Sequence, residues 1–123
     1  MRVIFIATEP DGVTLIVEDN AAMRATIRSV LQGFESDFCE CGDGRDALEM
    51  YRTYRPGWVL MDVRMKQLDG IAATKQIRAE FPGARIIIVT EYDDPALRNE
   101  AREAGAAAFV RKDDLSRLQT LYS

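Results

Sequence analysis

Histidine is missing altogether from the 123 residues of this chain. That absence excludes a Ser-His-Asp triad, a Cys-His pair, His-ligated zinc and any phosphohistidine carried on the chain itself. Cysteine is scarce. The two present, Cys39 and Cys41, stand two residues apart on an extended segment, so they share a face where a disulfide between them would be strained. Two thiolates without histidine do not close a tetrahedral zinc site, and both read as ordinary reduced side chains. Long apolar runs are lacking too, none approaching the ~20 residues that cross a bilayer. The opening Met1-Arg-Val-Ile-Phe-Ile-Ala7 is too short for a secretory signal and is poorly flanked by Glu9 and Asp11. Nor is there an excess of positive charge. Sixteen Lys+Arg face twenty Asp+Glu, a net −4, which argues against a nucleic-acid surface, since phosphate neutralisation needs a basic face.

What is present describes a folded domain. The chain is 47% hydrophobic and 29% charged, a globular composition. A chain of this length buries roughly two thirds of its unfolded surface and folds without a disulfide or metal. The expectation is one soluble, cytoplasmic domain over residues 13–123. Residues 1–12 are set apart as an N-terminal extension, whose Val3-Ile-Phe-Ile6 is apolar enough to pair as an edge strand or to pack on a partner.

Along the chain, short β-rich apolar runs alternate with helical patterns, the mark of a parallel sheet covered on both faces. Strands are predicted at 13–17, 36–41, 58–61, 85–90 and 107–110. Between them, Met23, Ile27, Val30, Leu31 and Phe34 recur at helical spacing, as do Ala47, Leu48 and Tyr51, and then Ile71, Thr74, Ile77 and Phe81. Asn20 or Asp19 suits the first helix N-cap, and Pro82-Gly83 closes the third helix. Asp93-Asp94-Pro95 opens a fourth helix that ends at Gly105, and Asp113 or Asp114 would cap a short fifth bearing Leu115, Leu118 and Leu121. Five β-α units in about 110 residues predict an α/β fold of the flavodoxin-like type: a five-stranded parallel sheet in the order 2-1-3-4-5, with helices on both faces. A closed eight-unit barrel needs about twice the length.

In such sheets, sites form outside the carboxyl ends of the strands. Strand one ends in Glu18-Asp19, strand three in Asp62, strand four in Thr90, strand five in Arg111-Lys112. Clustered carboxylates repel one another unless a cation compensates, and Mg2+ suits one or two carboxylates together with phosphate oxygens. Lys112 and Thr90 then supply a charge and a hydroxyl for an anion beside the metal. That set fits phosphoryl transfer, which depends on positioning and charge neutralisation. With histidine absent and the thiols on another strand, the candidate nucleophile is a carboxylate.

The segments Val17-Glu-Asp-Asn20, Leu60-Met-Asp-Val-Arg-Met-Lys-Gln-Leu-Asp-Gly70, Ile88-Val-Thr90 and Ala108-Phe-Val-Arg-Lys112 resemble the receiver domains of bacterial two-component response regulators. The spacings are similar to the subfamily whose receivers precede a helix-turn-helix output domain. The resemblance implies that Asp62 is the phosphoacceptor. It implies that Glu18, Asp19, Asp62 and the backbone carbonyl of Arg64 hold Mg2+, and that Lys112 pairs with the phosphoryl oxygens. Thr90 would turn its hydroxyl to the phosphate while Phe109 moves inward as the aromatic switch. The implied partners are a sensor histidine kinase or phosphotransfer protein and an output domain or downstream protein, with a homodimer through the fourth and fifth helices; nucleic acid and membrane are not expected. The implied role is a switch rather than an enzyme turning over an external substrate. A constitutive interaction domain of the same fold is the alternative. An aspartyl phosphatase is disfavoured, because Arg64 stands where a general acid would be needed.

Two departures from the family pattern carry expectations. Lys66 replaces the usual proline four residues after the acceptor, which predicts a looser loop. Glu91 follows Thr90 where a small residue is usual, and its charge predicts a pair with Arg64 across the pocket rim that slows attack by water. An unchanged dephosphorylation rate in Glu91→Ala would dismiss that pair.

Overall fold

The computed structural model describes residues 12–123; Val3-Ile-Phe-Ile6, read as an edge strand or a partner-packing segment, lies outside them. Five strands form one parallel sheet: β1 (Val13–Val17), β2 (Asp37–Cys41), β3 (Trp58–Met61), β4 (Ile86–Thr90) and β5 (Ala108–Arg111), in the order β2-β1-β3-β4-β5. Between and after them run α1 (Ala21–Leu31), α2 (Ala47–Tyr54), α3 (Gly70–Glu80), α4 (Pro95–Ala104) and α5 (Arg117–Tyr122). Single 3-10 turns, Gly44–Asp46 and Lys112–Asp114, lead into α2 and toward α5.

The unbroken apolar run of β4 is explained by the two-sided core. Ile86 and Ile88 pack on one face of the sheet against Tyr51, Ile77 and Ala101, from α2, α3 and α4. Ile87 and Val89 pack on the other against Ile27, Leu31 and Leu118, from α1 and α5. Period-two alternation therefore sends these four residues of the strand alternately into the two cores, as expected of a parallel sheet sandwiched by helices.

Local chemistry sets the helix ends. Asn20 Oδ1 accepts from Met23 N at 2.9 Å, Asp69 Oδ1 from Ala72 N at 2.8 Å and Asp94 Oδ1 from Ala96 N at 2.8 Å, each satisfying a donor of the open first turn. Gly105 ends α4 in the left-handed region at φ 100°, where a β-carbon is unfavourable. The predicted acidic cap of the last helix is not formed. Asp113 instead pairs with Arg111 at 2.6 Å, Asp114 accepts from Ser116 Oγ at 3.3 Å, and α5 begins without a side-chain cap. Leu115 and Leu118 of this segment are core, and the half-buried Leu121 packs against them.

Cys39 and Cys41 share the α2–α4 side of β2, both half-buried and unbridged. Burial pushes each thiol up to about 11. Because the thiolate is the nucleophile, iodoacetamide at about pH 8 is expected to label the folded chain at least ~10-fold more slowly than the urea-unfolded chain. Equal rates would refute this placement.

Candidate functional site

The strand register assembles the site. Val17 and Met61 are partners in adjacent parallel strands, so the residues that follow them emerge side by side at the carboxyl edge. Glu18 N donates to Cys41 O at 3.0 Å and Asp62 N to Val17 O at 2.9 Å. Both backbones are thereby held to the end of the ladder, with both side chains turned inward: Glu18 is 2% exposed and Asp62 6%, while Asp19 remains exposed. From β5, two strands away from β3, Lys112 reaches back across the edge. Its Nζ lies 2.9 Å from Glu18 Oε1 and 3.2 Å from Asp62 Oδ1.

One ammonium does not balance three carboxylates. Burial raises the pKa of Glu18, with the Asp62 charge adding to it, against the opposing effects of Lys112 and the Asn20 N–H. Burial likewise raises Asp62, offset in part by Lys112 and reinforced by Asp19. Lys112 would be lowered by its own burial, but Glu18 and Asp62 together carry it above the ordinary lysine value. A ligand oxygen from each of Glu18, Asp19 and Asp62 lies within 4.8 Å of the others. Glu18 Oε2 accepts from Asn20 N at 3.1 Å, whereas buried Oε1 faces Lys112 without an aligned hydrogen-bond donor. An under-satisfied buried oxygen within an acidic trio suits a hard divalent cation, and the trio could hold one.

These groups line a cleft of about 750 Å³ that also includes Arg64, Glu91, Asn20, Met23 and Tyr92. The structure thus brings together Glu18, Asp19, Asp62 and Lys112, with Arg64 and Glu91 at the rim. Thr90 is buried one strand over and does not line the cleft; its Oγ1 accepts from Tyr92 N at 3.3 Å. Phe109 lies apart too, half-buried beneath the Arg98 guanidinium at 4.8 Å.

The expected Arg64–Glu91 pair is not formed among the described residues. Arg64 instead lies over the Tyr92 ring at 4.3 Å. At an exposed rim an ion pair gains little, while a guanidinium over an aromatic face gains a cation–π contact and dispersion.

The loop after Asp62, which carries Lys66, is hydrogen-bonded from elsewhere in the chain. Asp43 Oδ1 accepts from Arg45 N at 2.9 Å and Leu68 N at 3.0 Å, and Oδ2 from Gln67 N at 2.8 Å. Despite an opposing effect of burial, these backbone N–H groups hold the Asp43 carboxyl below its usual range. Nothing in the local sequence ties position 43 to positions 67 and 68, so this anchor shows only in the folded chain. Asp43→Ala is expected to lower the Tm by about 5 °C through the orphaned amides. A thermal melt with no shift would show that the anchor contributes nothing.

Comparison with known proteins agrees with this geometry. The family model for the response regulator receiver domain matches residues 14–123. The chain is 38% identical over 100 residues to the chemotaxis protein CheY of Bacillus subtilis (strain 168), covering 80% of this chain and 82% of that protein. It is 37% identical over 100 residues to the transcriptional regulatory protein PdtaR of Mycobacterium tuberculosis (strain ATCC 25618 / H37Rv), covering 80% of this chain and 48% of that protein. Among solved structures, a LuxR-family two-component response regulator from Aurantimonas sp. SI85-9A1 matches with TM-score 0.80 at 31% identity, covering 89% of this chain and 81% of that one. Vibrio cholerae CheY4 matches with TM-score 0.81 at 24% identity over 90% and 96% of the two chains, a likeness of fold. With its sheet order, its acidic trio and its bridging lysine, the chain belongs to the response regulator receiver domain family of two-component signalling proteins.

Proposed function

We propose that residues 13–123 form a phospho-accepting switch in which Asp62 takes a phosphoryl group from a sensor histidine kinase or phosphotransfer protein. The observation that carries this reading is Lys112, whose Nζ spans Glu18 Oε1 at 2.9 Å and Asp62 Oδ1 at 3.2 Å on the floor of an open cleft.

An Asp62 oxygen attacks the phosphorus in line, the phosphorus–nitrogen bond of the donor breaks, and the bonding pair leaves with the donor nitrogen. The product is an acyl phosphate on Asp62. Glu18, Asp19, Asp62 and the Arg64 carbonyl would hold Mg2+, which when bound neutralises charge on the phosphoryl oxygens and screens the carboxylates from one another. Lys112 gives one ammonium to the oxygens of the transferred group. Slow attack by water later cleaves the acyl phosphate, so the chain resets itself and turns over no external substrate.

Phosphorylation is read out at Thr90. Turning its hydroxyl to the phosphoryl group costs its bond to Tyr92 N, and the space it leaves admits Phe109 as the aromatic switch. The surface so altered addresses an output domain, a downstream protein or a second copy across α4 and α5. No helix among the described residues is long and apolar enough to cross a membrane, and the proposed site of action is the cytoplasm, where the phosphodonors are.

The test is intact mass after incubation with Mg2+ and acetyl phosphate. A gain of one phosphoryl group in the parent and none in Asp62→Asn is the expected result. No gain in the parent, or an equal gain in the variant, would overturn the assignment.

A further inference from the structure

We infer that the trench running from the mouth of the acidic cleft down the α3–α4 seam is a docking surface for a basic amphipathic helix of a partner protein. A hollow of about 470 Å³ shares Arg64, Glu91 and Tyr92 with the cleft. It shares Leu97 and Glu100 with a second hollow, of about 400 Å³, that reaches Val63 and Ile71. The three are therefore continuous. Apolar contact is available along the trench from Tyr92, 42% exposed, and half-buried Leu97.

Charge decides what fits. On α4, Leu97, Glu100 and Glu103 face the trench over ~9 Å of helix, at 1.5 Å per residue. Arg98 is drawn away from them onto Phe109 and Asp93. Neither Glu91 nor Glu100 has a hydrogen-bond or ion-pair partner among the described residues, and Glu103 accepts only from Asn99 Nδ2 at 3.3 Å. Against them stand Lys75 and Arg64, the latter laid on Tyr92. A mixed trench, with Tyr92 and Leu97 offering apolar contact beside carboxylates that have no ion-pair partner among the described residues, is complementary to a helix with a leucine-type stripe flanked by Lys or Arg.

The trench is also joined to the state of Asp62, a step that rests on the function proposed above. Thr90 Oγ1 holds Tyr92 N at 3.3 Å. When Thr90 turns to a phosphoryl group, Tyr92 and the Arg64 stacked on it are released, and the neck of the trench opens.

The test uses the full chain and a fluorescein-labelled peptide of leucine and lysine, about four helical turns long, with a leucine–glutamate twin as control, read by anisotropy. The basic peptide is expected to bind and the acidic one not. Glu100→Lys/Glu103→Lys and, separately, Leu97→Gln should each weaken binding at least ~10-fold. Asp37→Lys/Glu49→Lys, exposed and remote, makes the same charge change and should leave binding unaltered. Absence of binding, or equal loss in both double variants, would overturn the proposal. So would self-association of the chain that the trench variant abolishes, since the occupant would then be a second copy. Chain shown by mass to carry the phosphoryl group should bind at least ~3-fold more tightly, and unchanged affinity would sever the coupling. A chain that accepts no phosphoryl group would refute the function proposed above, while the peptide titration still decides the trench.

Discussion

Gly70→Ala is expected to lower the Tm by at least ~10 °C and to abolish phosphoryl acceptance, with the fold's secondary structure otherwise retained. A β-carbon at this position would lie 1.9 Å from Asp62 O, 2.8 Å from Asp62 C and 2.9 Å from Met61 Cγ. The first two are backbone atoms of Asp62, the proposed acceptor, so the strain relaxes only by moving Asp62 or the start of α3. Overpacking of this kind costs ~1–3 kcal/mol and more where backbone must shift, and a domain of this size loses several degrees of Tm per kcal/mol. Gly44→Ala should act similarly from the other side of the loop, meeting Leu68 O at 2.3 Å and Asp69 O at 3.2 Å. Gly33→Ala and Gly83→Ala, which meet nothing within 4 Å, serve as controls for the general effect of a methyl group. A circular-dichroism melt separates the two classes, and a Gly70→Ala curve overlying that of Gly83→Ala would refute the tight approach.

The second large effect belongs to Lys112→Met. Its ammonium stands between two carboxylates that are 2% and 7% exposed at the side chain. Removing one partner from a buried ionic cluster strands the others, a loss of about 3–5 kcal/mol near neutral pH. The sign with pH follows from the directions of the shifts. Glu18 and Asp62 are raised by burial, so the folded chain binds their protons more tightly than the unfolded chain. Without divalent cation, their contribution to stability therefore falls as pH rises from the ordinary carboxylate range to their raised folded values. Lys112 is raised, so its contribution is full below the ordinary lysine value and is lost as pH climbs through the folded one. The variant should consequently melt far below the parent at about pH 7.5 in EDTA and close to it near pH 4, with Mg2+ restoring part of the loss by mass action. Asp62→Asn is expected to behave in the opposite way, melting above the parent in EDTA and losing most of the Mg2+ response. Parallel melts across that pH range decide the matter, and a Lys112→Met deficit of the same size at both ends would show that packing, rather than charge, is what the lysine supplies.

Strand ends are the most legible feature of the sequence. Residues 13–17 and 58–61 are apolar on nearly consecutive positions, and runs of this kind suit a sheet buried on both faces. Where each run stops, the following side chains stand at the sheet edge, so Glu18, Asp62 and the Arg111-Lys112 pair fall into one group on residue pattern alone. The mutual register of β1 and β3 then carries Glu18 and Asp62 into one cleft. Thr90 and Phe109 are legible as residues but not as positions. Their hydroxyl and ring face Tyr92 N and Arg98, choices that depend on how α4 sits over β4 and β5.

By itself the sequence determined the element order, the parallel doubly covered sheet and the identity of the acidic trio and its lysine, because these follow from short-range periodicity and from where apolar runs end. Only tertiary structure decided the contacts between loops. Asp43 captures the amides of Gln67 and Leu68, Gly44 and Gly70 leave space for the backbone of the 62–70 loop, and Arg64 chooses Tyr92 over Glu91. Those pairings join residues far apart in the chain with no shared period, and each turns on a difference of about 1 kcal/mol in hydrogen bonding or stacking. Energies of that size are settled by the distances and angles that the packed sheet and helices impose on the loops between them.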